Sequence, residues 1–215
     1  MLTKAEKKNI IRQDILDAAI VYSQNLAGRS FLYVYGEEYF ELYFPTNRFL
    51  HLTGVATYLS GKEFYKNAKN ATLTCDQFFF NSEHPYNSAR KKLPCLKRAP
   101  ELTNTMVCVL KDMQTLSITY KLSVTNLEFT LGLVQQTDNN GNAMPNRFIP
   151  MTLRVEDSSV NKSGGGEVID FIFSKDASKA IYDTLTIKDE RKEIPESVRM
   201  LITKELCESE VSNHE

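Results

Sequence analysis

The chain has 215 residues, of which 42% are apolar and 25% charged, and its formal net charge is −1 at pH 7. This length supports one substantial hydrophobic core, and the near-zero net charge gives the whole molecule no strong attraction to nucleic acid. No apolar run approaches the ~20 residues that span a bilayer. The polar N-terminus lacks the apolar segment of a secretory signal. We therefore expect a cytoplasmic globular protein without a membrane partner.

The sequence contains no recognisable metal motif. Its four cysteines are scattered and form no CxxC pair, so neither zinc-site spacing nor a disulfide scaffold is indicated. The three histidines lie far apart and no HExxH occurs. The sequence predicts no metal site and no cofactor. The cysteines are Cys75, Cys95, Cys108 and Cys207.

The N-terminal segment, residues 3–26, is predicted to be a helix. Thr3 and Glu6 have capping-box spacing, apolar residues recur at helical intervals, and Gly28 is a natural stop. Residues 60–70 predict a second, shorter helix, with Ser60 as its cap.

The middle of the chain is rich in short β-prone runs. Weaker helical patterns cover residues 74–80 and 176–184, and an amphipathic helix is expected from Pro195 onward. Because the strands are not regularly separated by helices, we expect an α+β fold. Its parts are an N-terminal helix on a mainly antiparallel sheet, a helical insertion and a C-terminal helix. The predicted strands are residues 31–35, 39–44, 47–54, 105–110, 115–122, 127–135, 148–155 and 167–173.

Residues 47–54 carry the first histidine of the chain, on a run that is expected to be a strand. On a strand, residues two apart share a face, so His51 and Thr53 would point together, opposite Leu50 and Leu52. A histidine beside a hydroxyl suits acid–base chemistry, because histidine titrates closest to neutrality. The alternative is a half-buried strand whose polar face happens to include His51.

Residues 84–98 contain five basic residues and no acidic one, and their prolines argue against a continuous helix. Residues 61–100 as a whole carry eight basic and three acidic side chains, whereas residues 151–215 carry nine and fourteen. The segment is expected to be a loop that holds a phosphate backbone or is simply solvated. Its basic residues are Arg90, Lys91, Lys92, Lys97 and Arg98.

Several polar residues later in the chain could act together with His51. Arg154 lies on the predicted strand 148–155, Ser174 and Lys175 follow the strand 167–173, and Tyr182 comes soon after. A histidine, a cation and a hydroxyl on one sheet face would suit metal-free RNA cleavage, in which a base removes the 2′-OH proton and a cation stabilises the phosphorane.

Four segments carry a resemblance to a known family. They are residues 49–55 (Phe-Leu-His-Leu-Thr-Gly-Val), 62–65, 148–153 and 169–175. Together they resemble the phage-associated nucleases of the Barnase–EndoU–Colicin–RelE-like (BECR) group, in the subtype whose strand carries FxHLTG. The resemblance implies helices packed on a curved antiparallel sheet and metal-independent cleavage of RNA.

Residue by residue, His51 and Thr53 match the polar pair of the motif, and Ser174 and Lys175 match the late strand end. Arg154 is a further match. The resemblance implies that His51 is the acid or base, that Lys175 and Arg154 stabilise the phosphorane, and that Thr53 and Ser174 position the phosphate.

The expected organisation is a helix over residues 1–27, a BECR-like nuclease domain over 28–187 and a charged helical tail over 188–215. The expected partners are RNA, with tRNA as one candidate, and an antitoxin or host-defence protein. Met151 stands where a polar or basic residue is expected. A catalytically inactive nuclease-like fold that binds a protein or nucleic acid in phage–host conflict is therefore the alternative to an endoribonuclease.

Overall fold

A large sheet forms the centre of the computed structural model, which describes residues 2–115, 119–155 and 164–208. Within these residues nine strands are ordered β11-β10-β1-β2-β8-β7-β6-β5-β9, and the sheet is not closed. The expected α+β fold with a mainly antiparallel sheet is confirmed. The nine strands are β1 (Arg29–Tyr35), β2 (Glu38–Tyr43), β5 (Cys108–Gln114), β6 (Thr119–Thr125), β7 (Phe129–Thr137), β8 (Ala143–Val155), β9 (Gly164–Val168), β10 (Phe171–Asp176) and β11 (Thr184–Lys188). Strands β3 (Ala56–Thr57) and β4 (Phe78–Phe79) pair separately.

The sheet consists of two antiparallel blocks joined at one seam. Strand β2 pairs with β8 in parallel through two registered pairs, Glu41 with Arg147 and Leu42 with Phe148. All other pairings in the sheet, within the described ranges, are antiparallel. The seam therefore brings together residues about a hundred positions apart.

All but the last two of the described helices pack on one face of the sheet, which we call the helical face and define by Phe31, Tyr33, Phe40 and Leu42. The described helices are α1 (Lys4–Asn25), the 3₁₀ turn η1 (Thr46–Arg48), α2 (Phe49–Thr53), α3 (Gly61–Lys69), α4 (Tyr86–Lys97), α5 (Glu101–Asn104), α6 (Glu196–Arg199) and α7 (Lys204–Glu208). The capping boxes predicted at the starts of α1 and α3 are both present. These reciprocal bonds satisfy backbone N–H groups that a helix start leaves unpaired.

The other face, which we call the opposite face, is defined by Leu32, Val34, Phe171 and Phe173. The C-terminal segment covers part of it, with Tyr182, Ile194, Val198 and Ile202 buried there. In β1 alternate residues are buried on each side, so the strand is sandwiched between two apolar layers.

The strand predicted over residues 47–54 is wrong: this segment forms η1 and α2. Phe49 and Leu52 are both fully buried, and their three-residue spacing places them on one face of a helix. Gly54 ends α2 with φ +77°, a left-handed conformation that glycine adopts without steric cost. His51 and Thr53 therefore do not share a face.

The loop predicted over residues 84–98 is also wrong, because α4 occupies most of it and Pro94 lies inside the helix. Its stripe of Ala89, Leu93 and Leu96 is fully buried in the core of the helical face. Burial of an amphipathic face supplies most of a helix's stability in proteins, and here it outweighs the missing N–H of Pro94.

Three further predictions are corrected. Residues 74–80 contain β4 rather than a helix, because β4 pairs with β3. Residues 111–114, expected to be the turn between the predicted strands 105–110 and 115–122, continue β5, and residues 116–118 of the second predicted strand lie outside the described residues. After β10, Asp176 accepts hydrogen bonds from the N–H and hydroxyl of Ser178, so residues 176–184 begin as a turn and continue into β11. The expected amphipathic C-terminal helix is present as the two short helices α6 and α7.

Candidate active site

A cleft of 420 Å³ opens on the opposite face, where β1 begins and β2 and β10 end. Cationic and hydroxyl side chains surround one carboxylate, Glu41. The lining residues are Ser30, Glu41, Tyr43, Gln136, Arg147, Lys175, Ala177, Lys179 and Ala180.

Glu41 reaches the cleft because side chains alternate along β2. Phe40 and Leu42 are buried on the helical face, so Glu41 between them points to the opposite face. Its Oε2 accepts a hydrogen bond from the Tyr182 hydroxyl at 2.8 Å, and its Oε1 accepts one from Arg147 Nε at 3.1 Å. The carboxylate is thus held in one orientation with 15% of the side chain exposed, while the Arg147 side chain is 45% exposed.

Lys175 is a buried cation beside this carboxylate, with a residue exposure of 7%. Its Nζ donates to the carbonyl of Ala180 at 2.9 Å and lies 4.2 Å from the centre of the Tyr182 ring. Burial lowers the pKa of Lys175, the charge of Glu41 opposes that shift, and Arg147 adds to it. This ammonium therefore gives up its proton more readily than an exposed lysine does.

Tyr182 is fully buried and positions Glu41. Its N–H donates to the Leu201 carbonyl at 2.8 Å, and its own carbonyl accepts from the N–H of Thr203 at 2.9 Å. Burial, followed by the negative charge of Glu41, raises the pKa of Tyr182. The phenol consequently keeps its proton and acts as a permanent donor to the carboxylate.

The structure separates the residues that the sequence grouped together. Lys175 lines the cleft and Tyr182 supports it, whereas Ser174 points to the helical face, is fully buried, and accepts a hydrogen bond from Arg29 Nη2 at 3.2 Å. Thr53 is fully buried as well and donates to the carbonyl of Leu50 at 2.7 Å. His51 lies on α2, in the layer that packs on the helical face.

The family comparison agrees with the resemblance seen in the sequence. Residues 14–191 match the model of PBECR4, described as phage-Barnase-EndoU-ColicinE5/D-RelE like nuclease4. The chain belongs to this nuclease family. No curated protein and no solved structure matches it. The matched range includes every residue that lines the cleft, and it ends before the α6–α7 segment that supports Tyr182.

Two cleft residues of this nuclease-family protein, Glu41 and Arg147, were not singled out in the sequence. Glu41 did leave a signal, because glutamate is depleted in strands and here stands between two buried apolar residues. Arg147 left no such signal in the sequence, because its position opposite Glu41 depends on the parallel pairing of β2 with β8.

His51 is exposed on α2, and its surroundings disfavour its charged form. Partial burial lowers the pKa of His51, and the nearby charges of Arg48 and His84 lower it further. Arg48 and His84 therefore lie close to His51. Met151, the residue that departs from the expected polar character, lies 3.3 Å from Arg48 Nη1 through its sulfur and does not line the cleft.

The basic residues predicted to bind substrate lie on or just after α4. Lys97 pairs with Asp14 of α1 at 2.8 Å, and Arg98 pairs with Glu101 and Glu128. These two cations are thus already paired with carboxylates. Arg90 is exposed and contacts the Tyr86 hydroxyl at 3.4 Å. Lys91, Lys92 and Arg154 line a separate depression of 140 Å³ together with Ser88, Leu153 and Val155.

The described part of the chain holds neither a cluster of metal ligands nor a membrane-spanning helix. No group of three or more His, Cys, Asp or Glu side chains lies close enough there to hold a metal ion. Within the same residues, no helix has the length and apolarity required to traverse a bilayer.

Proposed function

We propose that the protein is an endoribonuclease that cleaves RNA by transesterification in the cleft, without a metal ion. The observation that carries this proposal is the Glu41 carboxylate, fixed between Tyr182 and Arg147 and placed beside the buried Lys175. Membership of a nuclease family supports a phosphodiester substrate. RNA is favoured over DNA because a lone carboxylate base suits an internal 2′-hydroxyl nucleophile.

In the proposed reaction Glu41 accepts the proton of the 2′-hydroxyl, and the resulting oxygen attacks the adjacent phosphorus. Arg147 and Lys175 stabilise the additional negative charge of the phosphorane. Lys175 then donates a proton to the departing 5′-oxygen, which its lowered pKa favours. The products are a 2′,3′-cyclic phosphate and a 5′-hydroxyl end. Glu41 returns its proton to solvent, and Lys175 takes one up.

This mechanism assigns no chemical step to His51, Thr53 or Ser174. Thr53 and Ser174 are fully buried, and His51 belongs to the helical layer. The exposed Arg90 of α4, together with Lys91 and Lys92, is proposed to make outer phosphate contacts.

The test uses three labelled oligonucleotides of one sequence: all RNA, all DNA, and RNA with 2′-deoxy sugars at the cleaved positions. We expect the full chain to cleave only the all-RNA strand, in EDTA, and to leave cyclic phosphate ends. Glu41→Gln should lower the rate by about 10²- to 10⁴-fold, the usual contribution of a general base.

The matched control is Glu38→Gln, which neutralises a carboxylate on the same strand that lies outside the cleft. It should cleave at the wild-type rate. If folded wild-type protein cleaves none of a panel of single-stranded, hairpin and transfer RNAs, or if Glu41→Gln cleaves as fast as wild type, the proposal fails. Stable RNA binding without cleavage by either protein would instead favour the non-catalytic alternative.

A further inference from the structure

Tyr58 is an aromatic side chain with an unusually open position, 84% exposed. One face of its ring packs against Phe79 with ring centres 4.6 Å apart and an angle of 31° between the planes. The other face is open to solvent. Leaving a large ring exposed has no benefit for folding, because burial of apolar surface is what stabilises a fold.

Hydrogen bonds on both sides of Tyr58 fix the backbone that carries its ring. Thr57 donates its hydroxyl to the Gln77 carbonyl at 2.5 Å, and the N–H of Leu59 donates to the Thr57 hydroxyl at 3.1 Å. The backbone on both sides of Tyr58 is thus fixed to the β3–β4 pair. A ring that extends from a fixed backbone and rests on Phe79 loses less conformational entropy on stacking than a ring on a mobile loop.

Arg48, His51 and His84 lie together near one end of this pair, and we call them the cationic cluster after the guanidinium of Arg48; the two imidazoles add N–H donors. The charges of Arg48 and His84 both act on His51. The backbone N–H of His84 donates to Asn81 Oδ1 at 2.7 Å and closes the turn that carries His84. Among the ion pairs formed within residues 2–115, 119–155 and 164–208, none involves these three side chains.

The connectivity places the ring and the cluster on adjoining surface. Ala56 is registered opposite Phe79 in the antiparallel β3–β4 pair. The chain enters β3 from α2 at the Ala56–Phe79 end of the pair, and it leaves β4 toward His84 at the same end. The Tyr58 ring lies against Phe79, and His84 follows Phe79 by five positions along the chain.

We propose that Tyr58, Arg48, His51 and His84 form a second contact site for single-stranded RNA, in which Tyr58 stacks on an unpaired base and the cationic cluster binds an adjacent phosphate. This inference rests on the proposed function and deepens it by naming the substrate class. A positive groove with an aromatic platform is the combination used for single strands, because every base offers a stacking face. Bases in a duplex are already stacked and unavailable to Tyr58.

The experiment measures RNA affinity without turnover, using the full chain with Glu41→Gln. Fluorescence anisotropy reports the Kd for a labelled single-stranded RNA and for a perfect RNA duplex of equal length. Adding Tyr58→Ala should weaken single-strand binding by about 5- to 150-fold, the range measured for loss of one stacked base. Tyr58→Phe should restore the affinity, and duplex binding should not respond to either change.

The cationic cluster is tested through salt dependence in the same background. Arg48→Gln should reduce the slope of log Kd against log salt by about 0.7, the value for one phosphate contact on a single strand. Lys121→Gln, which removes an exposed charge from β6, is the matched control and should leave the slope unchanged.

The outcomes separate the two proposals. If wild type cleaves RNA but Tyr58→Ala and Arg48→Gln bind single strands as tightly as their parent, this second site is refuted while the nuclease proposal stands. If Tyr58→Ala weakens the affinity for duplex and single-stranded RNA equally, the stacking role of Tyr58 is refuted. If wild type neither cleaves nor binds RNA, the proposed function itself fails.

Discussion

Replacing Tyr182 with phenylalanine tests whether this buried phenol positions Glu41. The change keeps the ring, which is fully buried, and removes only the hydroxyl that donates to Glu41 at 2.8 Å. A hydrogen bond to a charged group contributes about 1.5–3 kcal/mol. Because the Glu41 side chain retains 15% exposure, water replaces part of the lost bond, and we expect a loss of about 1.5 kcal/mol. For a chain of this length that corresponds to a decrease of roughly 3–6 °C in Tm.

The assay is urea unfolding at pH 7, followed by circular dichroism, in a double-mutant cycle with Glu41→Ala. In the Glu41→Ala background, which lacks the acceptor, Tyr182→Phe should lower the free energy of unfolding by less than about 0.5 kcal/mol. The coupling energy between the two residues is then about 1 kcal/mol. In the cleavage assay the same change should lower kcat and leave KM unchanged, because the hydroxyl orients the base. An equal cost in both backgrounds would refute the positioning role of Tyr182.

Three other substitutions test the packing and the electrostatics. Gly61→Ala should lower the free energy of unfolding by roughly 1–3 kcal/mol, since its Cβ would lie 2.5 Å from the Asn47 carbonyl oxygen; an unchanged Tm would contradict this close approach. Pro94→Ala should raise the free energy of unfolding by roughly 1–3 kcal/mol, measured in urea, because it restores a helical N–H. The pKa of Lys175 is lowered from 10.5, so the unfolded chain binds this proton more tightly. Stability should therefore rise as pH increases toward 10.5, and Lys175→Met should flatten that rise in denaturation curves taken at several pH values.

The sequence was most informative where local chemistry decides the structure. The starts of α1 and α3 were predicted because Thr3–Glu6 and Ser60–Glu63 satisfy backbone donors through contacts three residues apart. Such contacts need no tertiary partner to be recognised.

The errors arose where distant packing chose between two local patterns. Apolar residues at positions 49, 50 and 52 fit a short strand and a single helical turn equally well, and burial of Phe49 and Leu52 in the helical layer selects the helix. The same competition between a local pattern and distant packing explains why α4 continues through Pro94. Apolar periodicity over so few residues does not discriminate between a strand and a helix.

The candidate site was only partly predictable for a related reason. Lys175 and Tyr182 were identified from their types and their positions late in the chain. Glu41 and Arg147 become neighbours only through the parallel seam between β2 and β8, a pairing that requires a long crossover and leaves no short-range signal.

The seam also determines when the cleft is completed as the chain is synthesised. Glu41 is separated from Arg147 by 106 positions and from Tyr182 by 141 positions, and contacts of such wide separation form slowly because a long loop must close first. A chain emerging from the ribosome presents Glu41 long before its two partners have been synthesised. The carboxylate is therefore unsupported until most of the chain has been made and the two blocks of the sheet have joined. Under the proposed cleavage of RNA, this order of assembly would protect the messenger and ribosome that are producing the chain.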